Sequence, residues 1–315
     1  MFFSKLQSDA ELVSTLHKQQ FVQPSNTTSQ NTHTIITTFL LILTTHIILI
    51  NLINKQKVAK KLELSSYDEV MKLSYQATNL LVNLSLGVYG FYTIMYSFPS
   101  TTDKSFKTLL FPSYEPNILE RITGYNAYTH FSSYQLAYNA WALPVGIFLV
   151  DENKIMLLHH VSVLTSTSLA CYTNLGYKIF SVYIFGCAEL SSVPLAIMNF
   201  LRDRPEFTRR YLSMTILYGI VKNVFAGMFL LLRVIIATPM ILDLLRSSAL
   251  VLYTSFWNLD DYVNVGALKI GVCSFNFVLM SILGFLQYYW ASLIVKALAK
   301  SVVGGGDKKT KKKAE

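Results

Sequence analysis

Two neighbouring histidines, His159 and His160, stand near the head of one apolar stretch, and the run Glu189-Leu190-Ser191-Ser192-Val193-Pro194 lies in the middle of the next. Ionisable groups at membrane depth are costly, so they persist where they face a packed interior, a cavity or a ligand. An imidazole titrates near neutrality and can serve as a general base, tuned by burial. Successive helical residues point about 100° apart, so only one of the pair faces a given target. About one turn inside the cytosolic end of its helix, such a base would suit an acyl thioester arriving from the cytosol. The plainer alternative is a pair that caps or hydrogen-bonds within a helical bundle, and the sequence alone favours it.

Glu189 lies deeper. Counting back from Leu201 places it about 18 Å inside its helix, and counting in from Leu212 places Lys222 about 15 Å inside the next, antiparallel one. A Glu189–Lys222 pair is therefore expected, neutralising two costly groups at once. A structural ion pair is slightly favoured over a catalytic one. Pro194, read as lying within a helix, would displace the carbonyl of Leu190 and leave an acceptor beside Glu189, with Ser191 and Ser192 as donors. Such a polar kink can bind a headgroup or hydroxyl, or be only a kink that its serines stabilise. Pro144 would likewise free the carbonyl of Ala140, next to Asn139. Arg233 is placed near the lumenal end of its helix, free to snorkel to the interface. Trp290, with Tyr288 and Tyr289, reads as part of an aromatic belt.

Other chemistries lack their residues. No Ser-His-Asp grouping, P-loop or Gly-rich dinucleotide turn is present, so no cofactor is expected. Cys171, Cys187 and Cys273 fall in apolar stretches without CxxC spacing, which points to neither a disulfide framework nor a metal site. The net charge of +9 is concentrated in short connections and the tail, the pattern of membrane topology, and no nucleic-acid-binding motif accompanies it.

The elements that must position these residues are membrane helices. Of 315 residues, 52% are hydrophobic and 14% charged, where a soluble domain carries about 25% charged residues. Mean hydropathy is +0.39. The reading is an all-α, polytopic transmembrane bundle of about seven spans: Thr34–Ile53, Ser74–Phe98, Phe131–Val150, Ile155–Thr173, Lys178–Leu201, Leu212–Ala237 and Gly271–Val295. Ser247–Trp257 is too short to cross alone. Three basic sets (Lys55, Lys57, Lys60 and Lys61; Arg202, Arg204, Arg209 and Arg210; Lys308 to Lys313) fall on one side only if the span count is odd. That side is the cytosol, which leaves the N-terminus lumenal and the C-terminus cytosolic. No cleaved signal peptide is expected. Pro99–His130 is the longest lumenal connection, and Asn26-Thr27-Thr28 is a sequon on that side. Lys312 and Lys313, fourth and third from the end, resemble the dilysine signal that returns membrane proteins to the endoplasmic reticulum. A solvated basic tail is the alternative.

Several motifs, in order, resemble one family. Asp151-Glu152-Asn153-Lys154 leads into His159-His160 as an acidic turn leads to a double histidine in the TLC domain. Ala188-Glu189-Leu190-Ser191-Ser192-Val193-Pro194 is similar to the Glu-Ile/Leu-Ser-x-Pro run of the smaller TLC-domain proteins. Phe229-Leu230-Leu231-Leu232-Arg233 resembles their Phe-rich segment ending in arginine, and Leu286-Gln287-Tyr288-Tyr289-Trp290 their Leu-Asn-x-x-Trp. The resemblance covers roughly Leu62–Lys300, between an N-terminal part (residues 1–61, with the first span) and a basic tail (residues 301–315). The family includes ceramide synthases, translocating-chain-associated proteins and the ceroid-lipofuscinosis membrane protein. Ceramide synthases carry a second histidine-aspartate motif where this chain has only Glu189, and many have a homeobox-like region that is absent here. Asn139 stands where the family often has an aspartate.

The resemblance thus implies the non-synthase branch: a protein of the endoplasmic reticulum membrane that binds, senses or organises lipids in a cavity between helices. The expected lining is Asn139, Glu189, Ser191, Ser192, Lys222 and Arg233, with His159 and His160. Membrane lipids are the expected partners, together with coat proteins that read the tail. One alternative is an N-acyltransferase using His159 or His160, with acyl-CoA as substrate only in that case. Another is a cargo receptor cycling out of the endoplasmic reticulum.

Overall fold

The computed structural model describes residues 27–62, 64, 66–93, 127–173, 182–242, 245, 249, 252 and 267–311. The sequon at Asn26, the connection between residues 94 and 126, nearly all of Ser247–Trp257, and the lysines Lys312 and Lys313 lie outside the described residues. Among the described residues every regular element is helical.

Helix α1 (Thr27–Ile53) is followed by the short α2 (Gln56–Lys61) and by α3 (Tyr67–Tyr92). Ser66 starts α3: its hydroxyl accepts the backbone N–H of Glu69 at 3.2 Å, and Asp68 and Glu69 sit favourably at the positive end of the helix dipole. Helices α4 (Ala127–Phe148) and α5 (Lys154–Thr173) form a hairpin closed by a tight turn. Asp151 holds a left-handed φ of 49° there, a conformation that Asp tolerates better than most residues. The Asn153 side chain then caps α5 by accepting the Ile155 N–H at 2.9 Å.

Two of the following segments depart from α geometry. The first span beyond the hairpin runs from Val182 through a 3-10 segment, Cys187–Ser191, into α6 (Ser192–Arg202). After α7 (Pro205–Arg210), α8 (Leu212–Met228) continues into a π-helical segment, Phe229–Ile236. The long α9 (Ala267–Lys311) is the last element. Helix α4 packs on α5 and α1, α6 on α8 and α3, and α9 on α5.

By length and composition, four stretches can cross a membrane: Asn31–Ile53, Val182–Arg202, Leu212–Leu242 and Phe277–Lys300. Helices α3, α4 and α5, with 26, 22 and 20 residues, are as long but more polar. Burial runs opposite to that of a soluble protein. Ser74, Thr78, Ser132 and Thr167 are fully buried, while Leu41, Phe148, Leu212 and Phe285 are 66–79% exposed. Apolar side chains outward and polar ones inward is the arrangement that suits hydrocarbon as solvent.

Proline and glycine explain part of this geometry. Pro194 occupies the first turn of α6, where its missing N–H has no helical partner to lose, so it does not kink a continuous helix as the sequence suggested. A Cβ on Gly90 would lie 2.5 Å from the backbone nitrogen of Cys187. Only glycine lets α3 press this closely on the 3-10 segment.

Candidate functional site

One run of polar side chains joins α3, α4, α5 and the two irregular segments. It begins in the turn before α5. Glu152 Oε2 accepts the Tyr75 hydroxyl at 2.8 Å and lies 3.4 Å from His160 Nε2. A Cβ on Gly146 would sit 2.7 Å from that same oxygen, so the glycine makes room for the carboxylate. His160, 5% exposed, meets Asn139 Oδ1 through Nδ1 at 2.8 Å.

Backbone carbonyls fix both amides of the run. Asn139 Nδ2 donates to the Gln135 carbonyl at 2.8 Å, which can only accept, so Oδ1 faces the histidine. Gln135 Nε2 donates to the Phe185 carbonyl at 3.1 Å, so its Oε1 faces Asn139 Nδ2, at 3.0 Å. His160 Nδ1 therefore carries the proton of its bond to Asn139. Its Nε2 faces the Glu152 carboxylate at 3.4 Å. Both ring nitrogens are engaged.

Gln135 Nε2 also reaches Glu189 Oε1, at 3.5 Å. The other oxygen of Glu189 takes Arg233 Nη2 at 2.8 Å and the Ser192 hydroxyl at 2.8 Å. Arg233 further donates from Nε to Ser191 Oγ at 2.8 Å and from Nη2 to Ser192 Oγ at 2.9 Å. The Tyr183 hydroxyl bonds the Leu232 carbonyl at 2.8 Å. Carbonyls released from regular helical bonding need partners of this kind, and irregular turns of both sorts recur at functional sites.

Most of the expected site residues thus come together: Asn139, His160, Glu189, Ser191, Ser192 and Arg233. Lys222 does not. It is half-buried and forms no ion pair among the described residues, and Glu189 takes Arg233 in its place. The counts from Leu201 and Leu212 hold only if the two antiparallel spans start at one level with equal rise. The observed partner lies eleven residues, about three turns, beyond Lys222. Arg233 is consequently 9% exposed and bound inside the bundle, not snorkelling to the interface.

His159 stands apart from the network. Its ring meets the edge of Trp290 at 5.5 Å, and its buried Nδ1 has no hydrogen-bond partner among the described residues. Trp290 therefore has a specific contact beyond an aromatic belt. Sequence reasoning passed over Tyr75, Gln135 and Glu152 as site members. Gln135 and Asn139 stand four apart on α4, hence on one face, which was the available signal. Among the described residues no group of His, Cys, Asp or Glu could hold a metal ion.

The family model of the TLC domain matches residues 72–296. The chain belongs to the TLC-domain family. No curated protein and no solved structure matches it. The matched region holds the whole network from Tyr75 to Arg233, while all of α1 precedes it. Helix α1 is nevertheless joined to the TLC domain: His46 Nδ1 meets Thr78 Oγ1 at 3.2 Å, and its ring packs 5.1 Å from that of Trp141.

Proposed function

We propose that this TLC-domain protein acts in membrane lipid homeostasis, binding or organising lipid at the Glu189–Arg233 pair inside the bundle. One observation carries the reading. Consecutive spans leave α geometry where an opposite-charged pair and two serine hydroxyls meet, the kind of intramembrane polar site that marks a ligand pathway. The location is the endoplasmic reticulum membrane, supported by the dilysine tail, with seven spans, a lumenal N-terminus and a cytosolic C-terminus. Length supports α3, α4 and α5 as the three spans beyond the four most apolar ones.

The test is native mass spectrometry of the protein released from nanodiscs. Lipid retained by the wild type and lost from Glu189→Gln/Arg233→Gln supports the site, whereas equal retention refutes it. The unpartnered Nδ1 of His159, buried in the bundle, favours a second reading, acyl transfer with His159 as base. Purified protein given long-chain acyl-CoA and a sphingoid base would then form an N-acylated product, absent from His159→Ala. No product from the folded wild type removes that reading.

A further inference from the structure

We infer that the Glu189–Arg233 site takes an uncharged lipid through a carbonyl oxygen: a molecule of the diacylglycerol type, with ester or amide carbonyls and no phosphate. The inference rests on the reading that this site binds lipid, and specifies which class.

Ser191 donates to the Ala188 carbonyl at 2.7 Å and accepts from Arg233 Nε. Ser192 donates to Glu189 and accepts from Arg233 Nη2, while the second Glu189 oxygen accepts from Gln135. Arginine carries five N–H groups, and these bonds use the one on Nε and both on Nη2. The two on Nη1 have no partner among the described residues, and Nη1 is not among the buried polar atoms lacking one. The site therefore offers donors outward. A ligand must supply an acceptor.

Charge selects which acceptor. Glu189 already cancels Arg233, at 2.8 Å. A phosphate would leave a net negative charge beside the Glu189 carboxylate, in surroundings that solvate it poorly. Lys222 is about three turns away along the helix, too far to compensate. A carbonyl oxygen accepts two N–H bonds and adds no charge.

Depth points the same way. Within the span Val182–Arg202, Glu189 lies seven residues from one end and thirteen from the other, or about 10 Å and about 20 Å of helix. A phosphorylated headgroup stays in the interface. A lipid without one can sink until its carbonyls reach Arg233, and half-buried Ser192 marks the edge by which it would arrive.

The experiment compares two probes in phosphatidylcholine nanodiscs: diacylglycerol and phosphatidic acid, each with a diazirine close to the ester. Adducts are mapped by peptide mass spectrometry. The expected result is labelling of peptides covering residues 183–192 and 229–236 by diacylglycerol, about ten times that by phosphatidic acid. Arg233→Lys keeps the ion pair, and hence the fold, but lacks the Nη1 donors; it should lose the labelling. Equal or stronger labelling of these peptides by phosphatidic acid overturns the lipid class while leaving the site. Labelling by neither probe, or labelling unchanged in both Arg233→Lys and Glu189→Gln/Arg233→Gln, overturns the lipid site itself.

Discussion

Glu189 and Arg233 behave as one unit, because each is tolerable at that depth only while the other is there. Arg233→Ala leaves a buried carboxylate facing Gln135 and Ser192 and should cost about 3–5 kcal/mol. Glu189→Leu/Arg233→Leu removes both charges and should cost less than Arg233→Ala alone, as coupled residues do. Unfolding in bicelles reads both, and additive losses would mean that the pair is not coupled. Glu152 makes a second, independent test. Glu152→Gln can donate from its amide to His160 Nε2, whereas Glu152→Ala leaves that nitrogen unpaired, so Ala should be about 1–2 kcal/mol worse. Equal thermal unfolding of the two would show that the contact carries little. At this scale residue types were legible and partners were not. Asn139 and His160 are visible as polar residues in apolar stretches, but only the α4–α5 hairpin brings them to 2.8 Å. The true partner of Glu189 depended on the relative level of two spans, which no count within either helix contains.

At the scale of elements, close backbone approach shapes the site. A helical Gly→Ala change normally gains up to about 1 kcal/mol of propensity. Gly219, with open space around its Cβ position on α8, should show such a gain. Gly90→Ala should reverse the sign, losing about 1–3 kcal/mol, because its Cβ would meet the backbone of Cys187 and Gly186. Gly146→Ala meets side-chain atoms alone, Glu152 Oε2 at 2.7 Å and Leu157 Cδ2 at 3.3 Å, so its effect should fall between these, through loss of the Glu152–His160 contact. A common sign for all three in thermal unfolding would contradict the packing. Apolar runs and breakers made the long helices legible. The irregular segments were not, because their causes are tertiary: Tyr183 reaching the Leu232 carbonyl, and α3 pressing on Cys187. Pro194 signalled a disturbance at the right place, but its position in a first turn became visible only with the break before it.

At the scale of the whole molecule, inside-out burial and the TLC-domain match agree on a helical membrane protein, and the proposed topology is a question of parity. Basic residues near Lys55, Arg209 and Lys308 share a side only if the number of crossings between them is even in each interval. On the proposed seven-span reading, α3, α4, α5 and the span ending at Arg202 would make four crossings between Lys55 and Arg209. Between Arg209 and Lys308 lie the span Leu212–Leu242 and α9, which are two, unless Ser247–Trp257 adds a third. Lys55→Cys, Arg209→Cys and Lys308→Cys, each in a background without the three native cysteines, should all react with an impermeant maleimide on the cytosolic face of intact microsomes. If Lys308→Cys alone were protected until detergent is added, Ser247–Trp257 would cross. The tail would then be lumenal, and Lys312 and Lys313 could not be read by cytosolic coat proteins. The same labelling would thus remove the main support for retention in the endoplasmic reticulum, while leaving the Glu189–Arg233 site, built within helices that come before that segment, as it stands.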